Sequence, residues 1–122
     1  KIGGSHWEVK CMDGIANPYL ALAAIVSAGT MGYREKRELA WKDCGTRVPA
    51  ALTQGERDAL GIVSRFPGSL EDALDELGRD EELVDELGAE LVERYVAVKE
   101  AELKLLTDMD GEERKRWIME RY

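Results

Sequence analysis

The sequence predicts an α+β fragment, mostly α, with one or two N-terminal strands of a larger sheet followed by a helical C-terminal region. Three observations carry this reading. Apolar and polar residues alternate over 6–11, an uncharged run behind a helix-start signal follows, and apolar residues recur at helical spacing from residue 70 onward.

The first element is short. Trp7, Val9 and Cys11 alternate with His6, Glu8 and Lys10, the period-two pattern of a strand over about 6–11. One face is then apolar, and the other carries an imidazole, a carboxylate and an ammonium. A lone strand leaves its backbone groups unpaired, so its sheet partners are expected outside this chain.

Asp13-Gly14 reads as a turn. Asn17 is a good N-cap and Pro18 stands at the first helical position, where its missing N–H is harmless, so a helix is expected over about 18–32. Residues 14–33 carry no charge, and a run of that length can span a bilayer. Alanine, three glycines, Asn17, Pro18, Ser27 and Thr30 make it too weakly apolar for lipid. A helix apolar on all sides and buried inside a larger protein is the better reading, and no membrane partner is expected.

Residues 34–50 form an irregular charged connection with Trp41, Cys44, Gly45 and Pro49. From about 53 to 122 the chain is expected to be helical. Thr53 and Glu56 have the spacing of a capping box, and Phe66-Pro67-Gly68 is a loop before the cap Ser69. Breaks are expected at Gly78, Gly88 and Gly111, and the longest helix runs from about 89 to 107. The charged last helix keeps Trp117, Ile118 and Tyr122 as its apolar contacts.

The 122 residues suit one domain or one piece of a larger one. The chain opens on Lys1-Ile2-Gly3-Gly4 without a start methionine, so it is expected to be a fragment of a longer polypeptide, a natural piece or an experimental truncation alike. No basic segment leads into an apolar one, and no signal peptide is expected. Hydrophobic residues make up 44% and charged residues 34%, enough for a core within a soluble protein. Acidic residues number 25 against 17 basic ones, a formal net charge of −8, which argues against unaided nucleic-acid binding. Cys11 and Cys44 match no metal-site spacing and are read as reduced thiols in a cytoplasmic protein. A single histidine excludes any site needing several imidazoles from this chain.

The polar face of the first element is where reactive groups cluster. Glu8 offers hard oxygens to a cation such as magnesium or manganese. Lys10 is a point charge for a phosphate or carboxylate. His6 adds a hydrogen bond or a further charge. Taken alone, alternating charges on a strand are more often a solvated face.

Longer motifs supply context. The stretch HWEVKCMDGIANPYLALAAIVSAGTMG, residues 6–32, resembles the C-terminal signature of glutamine synthetases, in which R-x-E-x-R precedes P-D-x-x-A-N-P-Y-L and an alanine-rich helix ending in A-G-x-x-G. Glu8, Asp13, Ala16, Asn17, Pro18, Tyr19, Leu20, Ala28, Gly29 and Gly32 fall in register. Pro67 to Leu74 resembles P-G-S-L-x-E-A-L, and Tyr95, Lys99 and Glu102 fit Y-x-x-x-(K/R)-x-x-E. The combination His6-Trp7-Glu8, with Asp43-Cys44 and Leu52 to Ile62, is similar to a fungal branch in which a synthetase-like domain follows an amidohydrolase-like one.

The resemblance implies an ATP-dependent ligase that phosphorylates the side-chain carboxylate of glutamate, after which ammonia displaces the phosphate. It implies two divalent metals, Mg2+ or Mn2+, ATP as co-substrate, and a ring-shaped homo-oligomer with sites between subunits. Glutamate or an analogue, and ammonia or an amine, are the small-molecule partners it implies. Glu8 is then a metal ligand. Lys10 stands at an arginine position that holds phosphate and substrate, a catalytic and cofactor-binding role, and His6 stands at a second arginine position. Both are departures. Lysine lacks the fork of donors that grips an oxyanion, and histidine is only partly charged near neutrality. They motivate the alternative of a catalytically silent relative with a signalling or scaffold role.

Overall fold

A computed structural model describes residues 8–14 and 16–121. It corrects the α+β expectation: among the described residues there is no strand, and the elements are helices. Residues 8–11 have no regular structure, while His6 and Trp7 of the expected 6–11 strand lie outside the described residues. Alternation gives a segment two faces, but a strand also needs a neighbouring strand for its N–H and C=O groups. Among the described residues none is offered.

Helix α1 spans Pro18–Arg34. The Asn17 side chain accepts from the N–H groups of Tyr19 and Leu20 at 3.0 and 3.3 Å, which satisfies donors that a helix start leaves unpaired. The helix ends where Lys36 turns left-handed at φ 54°. Arg37 N–H then reaches back to the Gly32 carbonyl at 3.0 Å, and Lys36 N–H to that of Tyr33 at 3.2 Å. Those two bonds are the Schellman arrangement.

The connection from 35 to 53 contains a short 3₁₀ turn, Pro49–Ala51, and leads to α2, Gln54–Ala59. The Thr53–Glu56 capping box is present in both directions. The connection is tied down through Lys42, whose backbone N–H donates to the Leu60 carbonyl at 2.9 Å and whose ammonium donates to that of Ala59 at 3.1 Å. Gly61, at φ 75°, lies so close to this strap that a Cβ there would stand 2.6 Å from the Ala40 carbonyl oxygen.

Helices α3 (Leu70–Arg79), α4 (Glu81–Leu87), α5 (Ala89–Thr107) and α6 (Gly111–Arg121) follow. Gly78 does not interrupt them; it lies within α3, and the break falls at Asp80. The Asp80 carboxylate accepts from Leu83 N–H at 3.0 Å and so starts α4. Gly88 does break the chain, at φ 93°. Arg114 fastens α6 to the end of α5, donating to the carbonyls of Leu106 and Met109 at 3.0 and 3.3 Å.

Helix α1 packs on α4, and α3, α4 and α5 pack on one another. The α1 face turned inward carries Leu20, Ala24, Ser27 and Met31, all half-buried, spaced three and four residues apart as helix geometry demands. Arg34 of α1 pairs with Glu86 of α4 at 3.3 Å, and Arg37 bridges Glu35 and Glu82. Two carboxylates push the Arg37 guanidinium further up, Glu35 first and Glu82 second. Among the described residues, Leu52, Leu60, Leu74 and Val92 are the buried hydrophobic ones. No residue of α1 is buried, and no described helix is long and apolar enough to cross a membrane.

Candidate functional site

Glu8 and Lys10 sit on the segment that enters α1. With one residue between them on a non-helical backbone, their side chains come together: Lys10 Nζ lies 3.4 Å from Glu8 Oε1. Both are open to solvent, at 79% for Lys10 and 54% for Glu8. An ion pair that exposed contributes little to stability, so folding does not dictate its presence. His6, the third group expected on this face, lies outside the described residues.

The segment leads into α1 through a short hydrogen-bonded turn. Ala16 N–H donates to the Asp13 carbonyl at 3.2 Å, and Asn17 caps the helix immediately after. Two cavities flank it. One is walled by Asp13, Ala16 and Asn17 with Tyr95, Lys99 and Arg121 opposite. The other is walled by Cys11 and Asp13 on one side, the Gly68–Leu70 stretch on another, and again Tyr95 and Lys99. Asn17 with Leu20 also borders a third, apolar cavity of about 200 Å3 closed by Leu91, Val92 and Tyr95. Tyr95 therefore lies against all three. Lys99 donates to Glu102 Oε2 at 2.7 Å, and both side chains are largely enclosed, at 21% and 26% exposure.

Divalent magnesium or manganese takes six or more hard oxygens in a full coordination shell. Glu8 supplies a carboxylate that faces solvent, which fits one position of such a shell. Among the described residues no three His, Cys, Asp or Glu side chains converge on one point, so these residues do not complete such a shell by themselves. Lys10 fits an anion. A cation on Glu8 would repel the ammonium now 3.4 Å away, and a neighbouring phosphate oxygen would draw it off. Cys11 and Cys44 are free thiols, exposed and half-buried respectively.

Sequence motifs pointed to Tyr95, Lys99 and Glu102 only as a pattern at helical spacing. The structure adds that Tyr95 and Lys99 flank the turn behind Glu8. Spacing of four and three residues places these groups on one face of α5 but does not say what that face meets.

Residues 2–122 match the family model described as glutamine synthetase, catalytic domain. Over 122 residues, all of this chain and 14% of the relative, the chain is 47% identical to protein fluG of Emericella nidulans. It is 34% identical over 131 residues to the glutamine synthetase of Thermococcus kodakarensis, covering all of this chain and 28% of that enzyme. The glutamine synthetase of Rhizobium meliloti is 35% identical over 100 residues, 82% of this chain and 22% of the enzyme. The chain thus spans between 14% and 28% of the length of the first two relatives. No solved structure matches it. The higher identity to the fungal protein agrees with the fungal branch suggested by His6-Trp7-Glu8 and Asp43-Cys44. This chain belongs to the glutamine synthetase catalytic-domain family.

Proposed function

We propose that the chain is the C-terminal part of an ATP-dependent glutamate–ammonia ligase, or of a close carbon–nitrogen ligase relative. In this reading residues 1–122 belong to one larger catalytic domain, and the whole protein is a cytoplasmic ring of identical subunits. The observation that carries it is the family match over residues 2–122, with a solvent-facing Glu8 carboxylate and the Lys10 ammonium 3.4 Å from it in the matched segment.

The proposed reaction transfers the γ-phosphoryl group of ATP to the side-chain carboxylate of glutamate, releasing ADP, and ammonia then attacks the acyl phosphate and displaces phosphate. The divalent cation, Mg2+ or Mn2+, neutralises charge on the transferring phosphoryl group when bound. Glu8 would hold one of its coordination positions. Lys10 swings from Glu8 to a phosphate or substrate carboxylate oxygen and supplies positive charge without a directional fork. His6 adds a donor whose charge depends on pH. The Asn17 cap fixes where the segment joins α1.

Manganese binding to the full-length protein tests the assignment. Glu8→Ala is expected to weaken affinity at one site by about 10-fold or more, judged by what even outer partners of metal ligands contribute. Unchanged affinity removes Glu8 from the metal site. The 122-residue chain alone is expected to form no glutamine from glutamate, ammonium and ATP, and turnover by it alone would contradict the shared-site reading.

A second reading, a catalytically silent protein with a signalling or scaffold role, is favoured by Lys10 standing where the family pattern has arginine. A full-length protein that binds manganese through Glu8 yet forms no acyl phosphate and no glutamine favours this second reading.

A further inference from the structure

We infer that Lys10 is the resident counter-ion of Glu8 in the metal-free protein, so that Glu8 takes a divalent cation readily only when a phosphate draws Lys10 away. Cation binding at Glu8 and phosphate binding at Lys10 are thereby coupled. The inference rests on the reading of Glu8 as a metal ligand and adds what regulates it.

The observation behind it is a direct contact, Lys10 Nζ at 3.4 Å from Glu8 Oε1. Among the described residues neither side chain makes a further hydrogen bond or ion pair. The carboxylate therefore already holds a cation, supplied by its own chain. At 79% exposure for Lys10 and 54% for Glu8, that cation is also replaceable. An enclosed pair is locked, because separating it strands a charge away from water. A pair this exposed contributes little to stability and exchanges partners at small cost.

Charge sets the direction of the coupling. With Lys10 in place, Glu8 can accept a divalent cation only against the ammonium beside it. Two like unit charges about 4 Å apart in water disfavour an equilibrium by about fivefold, more when one is divalent and less as salt rises. A phosphate reverses the balance. It offers the ammonium new acceptor oxygens, and it brings negative charge towards the cation site. Lysine suits such an exchange, since its head is a compact point charge on a flexible stem, without the rigid fork of arginine. By linkage, each ligand then raises the affinity for the other by the same factor.

Manganese affinity of the full-length protein is measured by calorimetry with and without inorganic phosphate. Ionic strength is held constant so that screening is equal, and the manganese that phosphate complexes in solution is subtracted. Phosphate is expected to tighten manganese binding to the native protein. Lys10→Met removes the charge; without phosphate it is expected to bind manganese about 3- to 10-fold more tightly, and its response to phosphate should shrink by a similar factor. Lys10→Arg keeps the charge and should stay near the native protein in the phosphate-free measurement. A lysine that merely holds Glu8 in place predicts the opposite sign, weaker manganese binding by Lys10→Met. That result, or an unchanged affinity, overturns the inference. So does a Lys10→Met protein with an undiminished response to phosphate, because manganese and phosphate would then assist each other without Lys10. Should Lys10→Met fail to fold, Lys10→Gln decides by the same readouts. Glu8→Ala separates the two readings: if it leaves affinity unchanged, the Glu8 reading fails and the coupling with it. If it weakens affinity while Lys10→Met does not strengthen it, the coupling alone fails.

Discussion

Glu56 accepts hydrogen bonds from the Thr53 backbone N–H at 2.8 Å and from the Thr53 hydroxyl at 2.7 Å. The hydroxyl first, and the backbone N–H second, hold its carboxyl below the ordinary glutamate range. A carboxyl whose folded-state pKa is depressed stabilises the fold fully above its unfolded value, about 4.3, and loses that contribution as pH falls through the folded value. Glu56→Gln removes the titration. Melting temperatures of the two proteins are therefore expected to differ most above about pH 5 and to converge as pH falls below about 4. A gap that stays constant across that range contradicts the account. The capping box was legible in the sequence because both partners lie within three residues. Glu8 was legible only as a candidate, since the groups that would complete a metal shell around it are not in the same stretch of chain.

Elements were legible where a cap announced them. Asn17, Thr53 and Ser69 each accept from backbone N–H groups in the first turn of the helix that follows, as their positions ahead of apolar periodic runs imply. Gly78 misled because glycine within a helix costs only about 1 kcal/mol, which tertiary packing absorbs. Asp80 actively starts a new helix by capping Leu83, so the break fell two residues later. The 6–11 alternation misled for another reason, since a period of two describes faces and not pairing partners. The α1 terminus offers a test at this scale. Lys36 carries a side chain in a left-handed conformation, which costs an L-residue about 1–2 kcal/mol. Glycine avoids that cost but gives back part of it as freedom in the unfolded chain. Lys36→Gly is therefore expected to stabilise the protein by about 0.5–1 kcal/mol in denaturant titrations. A loss of stability would mean that the Lys36 side chain contributes more than its backbone conformation costs.

At the scale of the whole molecule, surface area is the informative quantity. A folded monomer of 13.6 kDa is expected to expose about 6,600 Å2, whereas this chain exposes 10138 Å2. Part of the excess is visible on α1. Leu22, Ile25, Val26 and Tyr33 face solvent on the side away from α4, and Val26 is 63% exposed. The sequence of α1, uncharged as far as Tyr33, was legible as apolar on all sides, but which side the rest of this chain covers depends on α3, α4 and α5, far along the sequence. An uncovered apolar face has two measurable consequences. It binds hydrophobic dyes, and it reduces the area newly exposed on unfolding, to which the denaturant slope is proportional. The isolated 122-residue chain is therefore expected to bind an anilinonaphthalene dye and to unfold with a shallow urea slope, below the range of about 1–3 kcal/mol/M for small proteins. In the full-length protein, Val26→Asp should then lower stability by several kcal/mol, as burying an unpaired charge does. In the isolated chain the same substitution should change stability little and weaken dye binding. Equal, small effects in both settings would show that the outer face of α1 stays in water in the complete protein, and the larger catalytic domain proposed around residues 1–122 would lose its main physical support.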